Sequence, residues 1–268
     1  MPILQSDDWV NFYRLRKALG DTPRYRSGSV NINGWDMEYV DAASFISAFD
    51  NVVVQRTNDF VSEHSTPFIL DCGANIGVSV IHYKRQFPDA KIIAFEPDAK
   101  VCQVLRRNLA ANNISDVEVV EAAVWKENGE TEFFSEGADA GRVDPDAAET
   151  VSLADTRRLG NRIKVRTVKL DDFLHEPVDF IKLDIEGAES EVLAASVSKL
   201  ANVRAIVVEF HLTTSKPKQL GVALMSLAAA GFQVSVNSYG NVITLLNKDT
   251  IVKNDVEFDQ YLLIHGWR

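Results

Sequence analysis

From Phe68 onward the chain alternates between short runs of consecutive apolar residues and longer stretches in which apolar residues recur every three or four positions. "PFILDC", "KIIAFE", "VEVVEAAV", "VDFIKLDI" and "VRAIVVEF" are of the first kind, with the length and β-branched content of strands buried on both faces. Helical spacing fills the intervals. "GANIGVSVIHYKRQF" places Val78, Ile81 and Phe87 on one helix face before Pro88 ends it. "DAKVCQVLRRNLAANN" sets Val101, Leu105 and Leu109 at i, i+4 and i+8. "AESEVLAASVSKLA" and "PKQLGVALMSLAAAGF" also read as helices, the second capped by Gly231. "FQVSVNS" and "NVITLLN", joined around "YGN", read as a closing hairpin. Strands that alternate with helices require crossover connections. The pattern therefore predicts an α/β fold, a doubly wound seven-stranded mostly parallel sheet with helices on both faces and an antiparallel edge from the hairpin.

Two stretches break this rhythm. Residues 1–66 hold helical patterns ("DDWVNFYRLRKALG", "AASFISAFDNVVVQRTNDFV") and a short hairpin signal near "VNINGWDMEYV". They are read as a helical N-terminal cap packed on the core domain at 67–268. Residues 135–163 are polar and rich in Gly, Ala and Asp, and are read as a lid or substrate loop.

Composition narrows the class. Of 268 residues, 46% are apolar, enough for a substantial core, and the formal net charge of −10 argues against nucleic acid as a partner. Two cysteines, Cys72 and Cys102, make no disulfide framework. The first twenty residues carry acids where a signal peptide needs bases, and no apolar run approaches the ~20 residues of a membrane span. A cytoplasmic protein acting on a small molecule or a glycan is expected. Whether it forms a homodimer is left open.

The first strand-to-helix turn, "ILDCGANIG", has the spacing Asp71-x-Gly73-x-Asn75-x-Gly77. Gly73 permits a tight turn and Gly77 a close approach, while the helix N-terminus aims free N–H groups at a ligand. Asp71 is placed to accept from a ligand ammonium. Only one G-x-x-x-G survives of the dinucleotide fingerprint G-x-G-x-x-G, so a cationic amino-acid group fits better than a pyrophosphate. Glu96, ending the second strand about twenty residues on, suits hydrogen bonding to ribose hydroxyls.

"FILDCGANIGVSV", "KIIAFEPD", "NLAANN", "VDFIKLDIEGAESEVL" and "AIVVEFH" together resemble the FkbM-type family of S-adenosylmethionine-dependent methyltransferases, over roughly residues 67–231. The resemblance implies the class I methyltransferase fold with strand order 3-2-1-4-5-7-6, the last strand antiparallel. It implies that Asp71, Gly73, Asn75 and Gly77 hold the amino-acid end of S-adenosylmethionine and Glu96 its ribose. Pro97 and Asp98 would flank the adenine, and Ala122 and Ala123 would meet its edge. Members of the family mostly methylate oxygen on natural products and glycans.

"DFIKLDIEGAE" interrupts an apolar strand with Lys182, Asp184 and Glu186, and "VRAIVVEFH" ends in Glu209 and His211. Ligands of open parallel sheets bind at the carboxyl ends of the strands, so neighbouring fourth and fifth strands would gather these five groups there. Three readings compete. In the first, His211 is the general base and Asp184 or Glu186 orients it or the substrate. In the second, Asp184 and Glu209, with or without His211, hold a divalent metal such as Mg²⁺, Mn²⁺ or Ca²⁺. In the third the cluster is structural, Lys182 pairing with Glu209 or Glu186.

The expected activity is S-adenosylmethionine-dependent O-methyl transfer to a hydroxyl of a sugar, glycan precursor or secondary metabolite. The alternatives are N-methylation of a small amine or amide, an NAD-binding oxidoreductase, and a non-catalytic nucleoside-binding module. His64, His82, His175 and His265 lack metal-like spacing and read as packing or solvent residues. Arg142 reads as a solvated loop arginine, and Trp9, Tyr13, Trp35 and Tyr39 as core aromatics.

Overall fold

Apolar runs become strands and periodic stretches become helices in a computed structural model that describes residues 6–135, 141–143, 161–212, 218–239 and 260–268. The N-terminal segment holds α1 (Ser6–Leu19), a hairpin of β1 (Gly28–Ile32) and β2 (Trp35–Tyr39), and α2 (Ala42–Phe49), which runs on into a π-helical turn at Asp50–Val54. Asp41 caps α2, its carboxylate accepting from the Ser44 backbone N–H at 2.9 Å. Then follow β3 (Phe68–Cys72), α3 (Val78–Gln86), β4 (Lys91–Phe95), α4 (Ala99–Ala111) and β5 (Val117–Val120). Four strands of a second sheet come next: β6 (Ala123–Trp125), β7 (Gly129–Ser135), β8 (Arg142–Val143) and β9 (Asn161–Lys169). The chain then returns to the main sheet through β10 (Val178–Leu183), α5 (Glu189–Ser196), β11 (Val203–Leu212), α6 (Gln219–Ala229), β12 (Gln233–Tyr239) and β13 (Gln260–Trp267).

The main sheet has seven strands in the order β5-β4-β3-β10-β11-β13-β12. Counted along the chain this is 3-2-1-4-5-7-6, and β13 is antiparallel to both neighbours. The central strands β3 and β10 are buried at every position, as two-faced strands must be. One apolar layer joins α3, α4 and the N-terminal segment to the face bearing Ile69, Ile92, Phe180 and Val207. Leu70, Ile93, Ile181 and Val208 point the other way, into a layer that includes Val192, Leu193 and Leu227.

Four features differ from the expectation. The strand paired with β12 is Gln260–Trp267; "NVITLLN" lies outside the described residues. "VEVVEAAV" is not one strand. The chain turns at Glu121–Ala122, where the Ala122 N–H meets the Val120 carbonyl at 3.0 Å, and Ala123–Trp125 leaves to pair with β9. The ends of the expected loop at 135–163 belong to the second sheet, since Ser135 pairs with Asn161, and Arg142 and Val143 pair with Phe134 and Phe133. Residues 136–140 and 144–160 lie outside the described residues. Finally, α3 is buried nearly all round, polar Ser79, His82 and Lys84 included, because the N-terminal segment covers the side that would otherwise face water.

That covering is tied by hydrogen bonds as well as by packing. Asn108 of α4 accepts from the Glu38 N–H at 2.7 Å and donates to the Glu38 carbonyl at 2.9 Å, as a second strand would. Asn112 does the same for Asp36, at 3.2 and 2.8 Å. These amides fix β2 against α4. None of the described helices is long and apolar enough to cross a membrane.

Candidate active site

A cavity of about 460 Å³ opens at the carboxyl ends of β3, β4, β10 and β11. Its floor is the turn after β3. Gly73 has φ +87°, and a Cβ there would stand 1.8 Å from the Asp184 carbonyl oxygen, so only glycine lets this turn pass beneath the end of β10. The Asp184 N–H extends the ladder to the Cys72 carbonyl at 3.0 Å. Asn75 also takes a left-handed conformation, with φ +49°. Gly77, φ +93°, caps α3 and packs against Leu105 without lining the cavity.

Glu96 stands beside this turn. It is buried, and its two oxygens accept from the Asn75 N–H at 3.0 Å and the Asp98 N–H at 2.9 Å. Burial raises its pKa to about 8 in spite of those two donors. Asp98 is the N-cap of α4, accepting from the Lys100 and Val101 N–H groups, and Ser135 donates to its other oxygen. Pro97, Ala122 and Ala123 line the same end of the cavity, with Phe95, Val101 and Val124 making it apolar.

Asp71 is placed differently from the expectation. It lines no part of the cavity, because the fourth residue of a strand buried on both faces points into the packing. Ser79 donates to its Oδ2; its Oδ1 has no hydrogen-bond partner and lies 3.5 Å from the Lys182 ammonium. Lys182 aligns with Asp71 across the two strands. Its Nζ also donates to the Gly73 carbonyl at 2.9 Å and meets Asp184 Oδ2 at 3.1 Å. Its described ion-pair partners are thus Asp71 and Asp184, not Glu186 or Glu209. Burial opposes the charge on Lys182, yet Asp184, Asp71 and Glu209 outweigh it and raise the pKa.

The strand itself ends at Leu183, so the alternating charges do not share one strand face. Asp184 and Glu186 sit on the loop beyond, which turns through φ +56° at Glu186 and +96° at Gly187. From β11, His211 reaches into this loop, with Nε2 3.1 Å from Glu186 Oε2 and Nδ1 3.2 Å from Glu189 Oε1. Asp184, Glu186 and His211 each offer a ligand atom within 4.8 Å of the others; Glu209 is not part of that trio. Glu209 lines the cavity nearby, its pKa raised to about 7 by the charge of Asp184 and then by burial. Burial alone would lower the pKa of His211, but the Glu189 hydrogen bond and the charges of Glu189, Glu186 and Asp184 carry it well above the ordinary value.

Glu189 is a residue the sequence reading passed over. It is 1% exposed, and its Oε1 also accepts from the Gly187 N–H at 2.9 Å and the Ile185 N–H at 3.3 Å. The signal was there in "DIEGAE": an acid in the first turn of a helix, facing the amides of the loop before it. The N-terminal segment was missed too. Arg24, Asp41, Ser47, Asn51 and Asn58 line the cavity together with the acidic cluster. The histidines read as packing residues sit away from the cavity, His64 beside Asp179, His82 beside Asp59 and His265 beside the Thr57 carbonyl.

The model of the Methyltransferase FkbM domain matches residues 71–243. Methyltransferase sdnD from Sordaria araneosa is 32% identical over 178 residues, which is 56% of this chain and 68% of that relative. The 2-O-methyltransferase NoeI from Sinorhizobium fredii is 28% identical over 55% of this chain and 65% of its own. The 31-O-demethyl-FK506 methyltransferase FkbM from Streptomyces tacrolimicus is 26% identical over 62% and 72%. The matched stretches therefore span about two thirds of those relatives. A solved structure of methyltransferase FkbM from Methylobacillus flagellatus aligns with 97% of this chain and 59% of its own, at 13% identity and a TM-score of 0.48.

Proposed function

This chain belongs to the methyltransferase FkbM domain family, and from that premise we propose that it moves a methyl group from S-adenosylmethionine to a hydroxyl of a sugar, glycan precursor or secondary metabolite. The observation that carries the reading is the placing, in one cavity, of the Gly73–Asn75 turn and Glu96 beside Asp184, Glu186, Glu209 and His211. Two relatives named for O-methylation, NoeI and FkbM, favour oxygen over nitrogen as the acceptor atom.

The residues present suit the cofactor. Glu96 is a buried acceptor at the edge of the cavity, and a diol donating to it would offset its burial. Ala122, Ala123 and Phe95 offer an apolar end for a base, with Pro97 and Asp98 flanking it. When bound, S-adenosylmethionine supplies an electrophilic methyl group and a positive charge that the carboxylates around it would favour. Asp71 serves this arrangement from behind, by holding Lys182 under the turn.

The acceptor hydroxyl must lose its proton as the new bond forms. A base works best with a pKa near the working pH, and Glu209, at about 7, meets that condition. The pKa of His211 is raised well above its ordinary value by Glu189 and Glu186, which favours its protonated form over that of a free base. We therefore read it as the cation that holds Glu186 and the loop in place, with Glu209 taking the proton; this reassigns the base from the expected His211. Asp184, anchored by Lys182, sets the charge that tunes Glu209.

The trio Asp184, Glu186 and His211 favours a second reading, a hard divalent metal that orients the acceptor. It requires His211 to give up a proton first. S-adenosylhomocysteine release, measured across pH with and without a chelator, tests both. Proton transfer to Glu209 predicts turnover that falls as pH drops below about 7, and Glu209→Gln should remove that limb along with most of the rate. Full activity in Glu209→Gln would discard Glu209 as the base, and chelator loss rescued by Mg²⁺ or Mn²⁺ would establish the metal.

A further inference from the structure

The N-terminal segment lies over the face of the main sheet that carries the acidic cluster. Phe180 and Lys182 share a face of β10, and Phe60 stacks on Phe180 with ring centroids 4.3 Å apart. Lys182 aligns with Val207 of β11 and Val207 with His265 of β13, whose Nε2 lies 3.2 Å from the Thr57 carbonyl. Residues 57–60 thus run along this face. Two and four residues beyond Val207, Glu209 and His211 continue the same face to the carboxyl end of the strand. The N-terminal segment also reaches the cavity that Glu209 and His211 line, through Ser47, Asn51 and Asn58.

Asn58 is the informative member. It is 4% exposed, yet its side-chain oxygen takes only a long 3.4 Å contact from the neighbouring Thr57 hydroxyl. Its amide nitrogen has no hydrogen-bond partner among the described residues. That nitrogen is not among the enclosed unpartnered atoms, so it opens on the cavity, where a ligand can displace water and complete the bonding. Ser47 and Asn51 stand four residues apart, on one face of α2 and its π-helical continuation, a departure from α-geometry often found at functional sites. Beside the Arg24–Asp41 ion pair, this segment offers the cavity neutral hydroxyl and amide groups, while β10, β11 and the loop after β10 offer carboxylates.

We infer that Asn58 and Asn51 form the acceptor subsite, reading the hydroxyls of a neutral, polyhydroxylated ring whose reacting hydroxyl faces Glu209. An anionic acceptor would meet Asp184, Glu186 and Glu209 at close quarters and be repelled. The inference rests on the methyltransferase reading of the cavity and adds the residues that choose the acceptor.

The test uses the whole protein saturated with S-adenosylmethionine. It is offered methyl glycosides of neutral hexoses and deoxyhexoses, with methyl glucuronide as the anionic counterpart, and S-adenosylhomocysteine release is followed. Neutral glycosides should be consumed and the glucuronide should not. Asn58→Ala and Asn51→Ala should each raise KM for the glycoside about tenfold, the worth of one neutral hydrogen bond, and leave S-adenosylhomocysteine affinity unchanged by calorimetry. The isosteric Asn58→Asp guards against loss of packing on truncation and should raise KM likewise. Unchanged KM in the Asn51 and Asn58 variants overturns the inference, as does equal consumption of the glucuronide or no consumption of any neutral glycoside by protein that binds S-adenosylhomocysteine. Failure of the wild-type protein to bind S-adenosylhomocysteine overturns the reading of the cavity itself, and the inference with it.

Discussion

Replacing Lys182 with methionine keeps most of the side-chain volume and removes only the ammonium. That ammonium lies 3.5 Å from Asp71, 3.1 Å from Asp184 and 2.9 Å from the Gly73 carbonyl, and is nearly inaccessible to water. Asp184 is partly exposed and can find water; Asp71 is fully buried and cannot. The variant therefore strands one buried carboxylate, a change that costs about 3–5 kcal/mol when a buried pair is broken from one side. At roughly 2–4 °C per kcal/mol for a chain of this size, Tm should fall by about 6–20 °C. The loss should depend on pH in a definite direction. Burial already raises the pKa of Asp71 against the pull of Lys182, and without Lys182 it must rise further. A carboxylate whose folded pKa is raised binds a proton more tightly when folded. Its contribution is thus most favourable below the unfolded value and is lost as pH rises through the folded one. Thermal melts of Lys182→Met at pH 5.5 and 8 should show the larger deficit at pH 8, and adding Asp71→Asn should restore most of it. A Tm at pH 8 within a degree or two of wild type would refute the argument, as would an equal deficit at both pH values.

Gly73→Ala puts a Cβ 1.8 Å from a backbone oxygen at φ +87°. The left-handed conformation and the overlap together should cost roughly 2–5 kcal/mol, with S-adenosylhomocysteine binding lost in calorimetry; wild-type binding would show that the turn yields. Glu189→Gln keeps an acceptor for Gly187 and Ile185 but removes the charge that faces His211. Turnover should drop by about 10–100-fold with S-adenosylhomocysteine affinity and Tm near wild type, whereas a parallel fall in Tm would make Glu189 merely structural. In the proposed ribose site, Glu96, with its pKa near 8, would accept hydroxyls best when ionised. The Tm gain from saturating S-adenosylhomocysteine should therefore grow between pH 6 and 9 in the wild type and stay flat in Glu96→Gln; a wild-type gain that shrinks with pH would remove Glu96 from the ribose site.

Much of the fold was legible along the chain because its central strands are buried on both faces. Continuous apolar runs such as "PFILDC" and "VDFIKL" have few alternatives, and the glycines between strand and helix are required by left-handed backbone at Gly73 and Gly77. The position of Glu96 was legible for the same reason: it directly follows a buried strand, at the rim where parallel sheets bind ligands. The second sheet was not legible. Strands β7 and β9 are part exposed and interrupted by charge, so no single period betrays them, and β6 is a buried run of only three residues.

What the chain could not declare is which neighbour each charge would meet. The sequence reading paired Lys182 with Glu209 or Glu186; the register of β10 on β3 set it against Asp71 and under the Gly73 carbonyl. His211 reads as a neutral base until the folded loop brings Glu186 and Glu189 to its two nitrogens and raises its pKa. The wall of Asn51 and Asn58 comes from a segment whose sequence carries no motif for the site at all. Sequence by itself determined the central strands, the turn and the acids available. Only the tertiary structure decided their partners, because a pKa or an open hydrogen-bond donor belongs to an environment built from residues far apart in the chain.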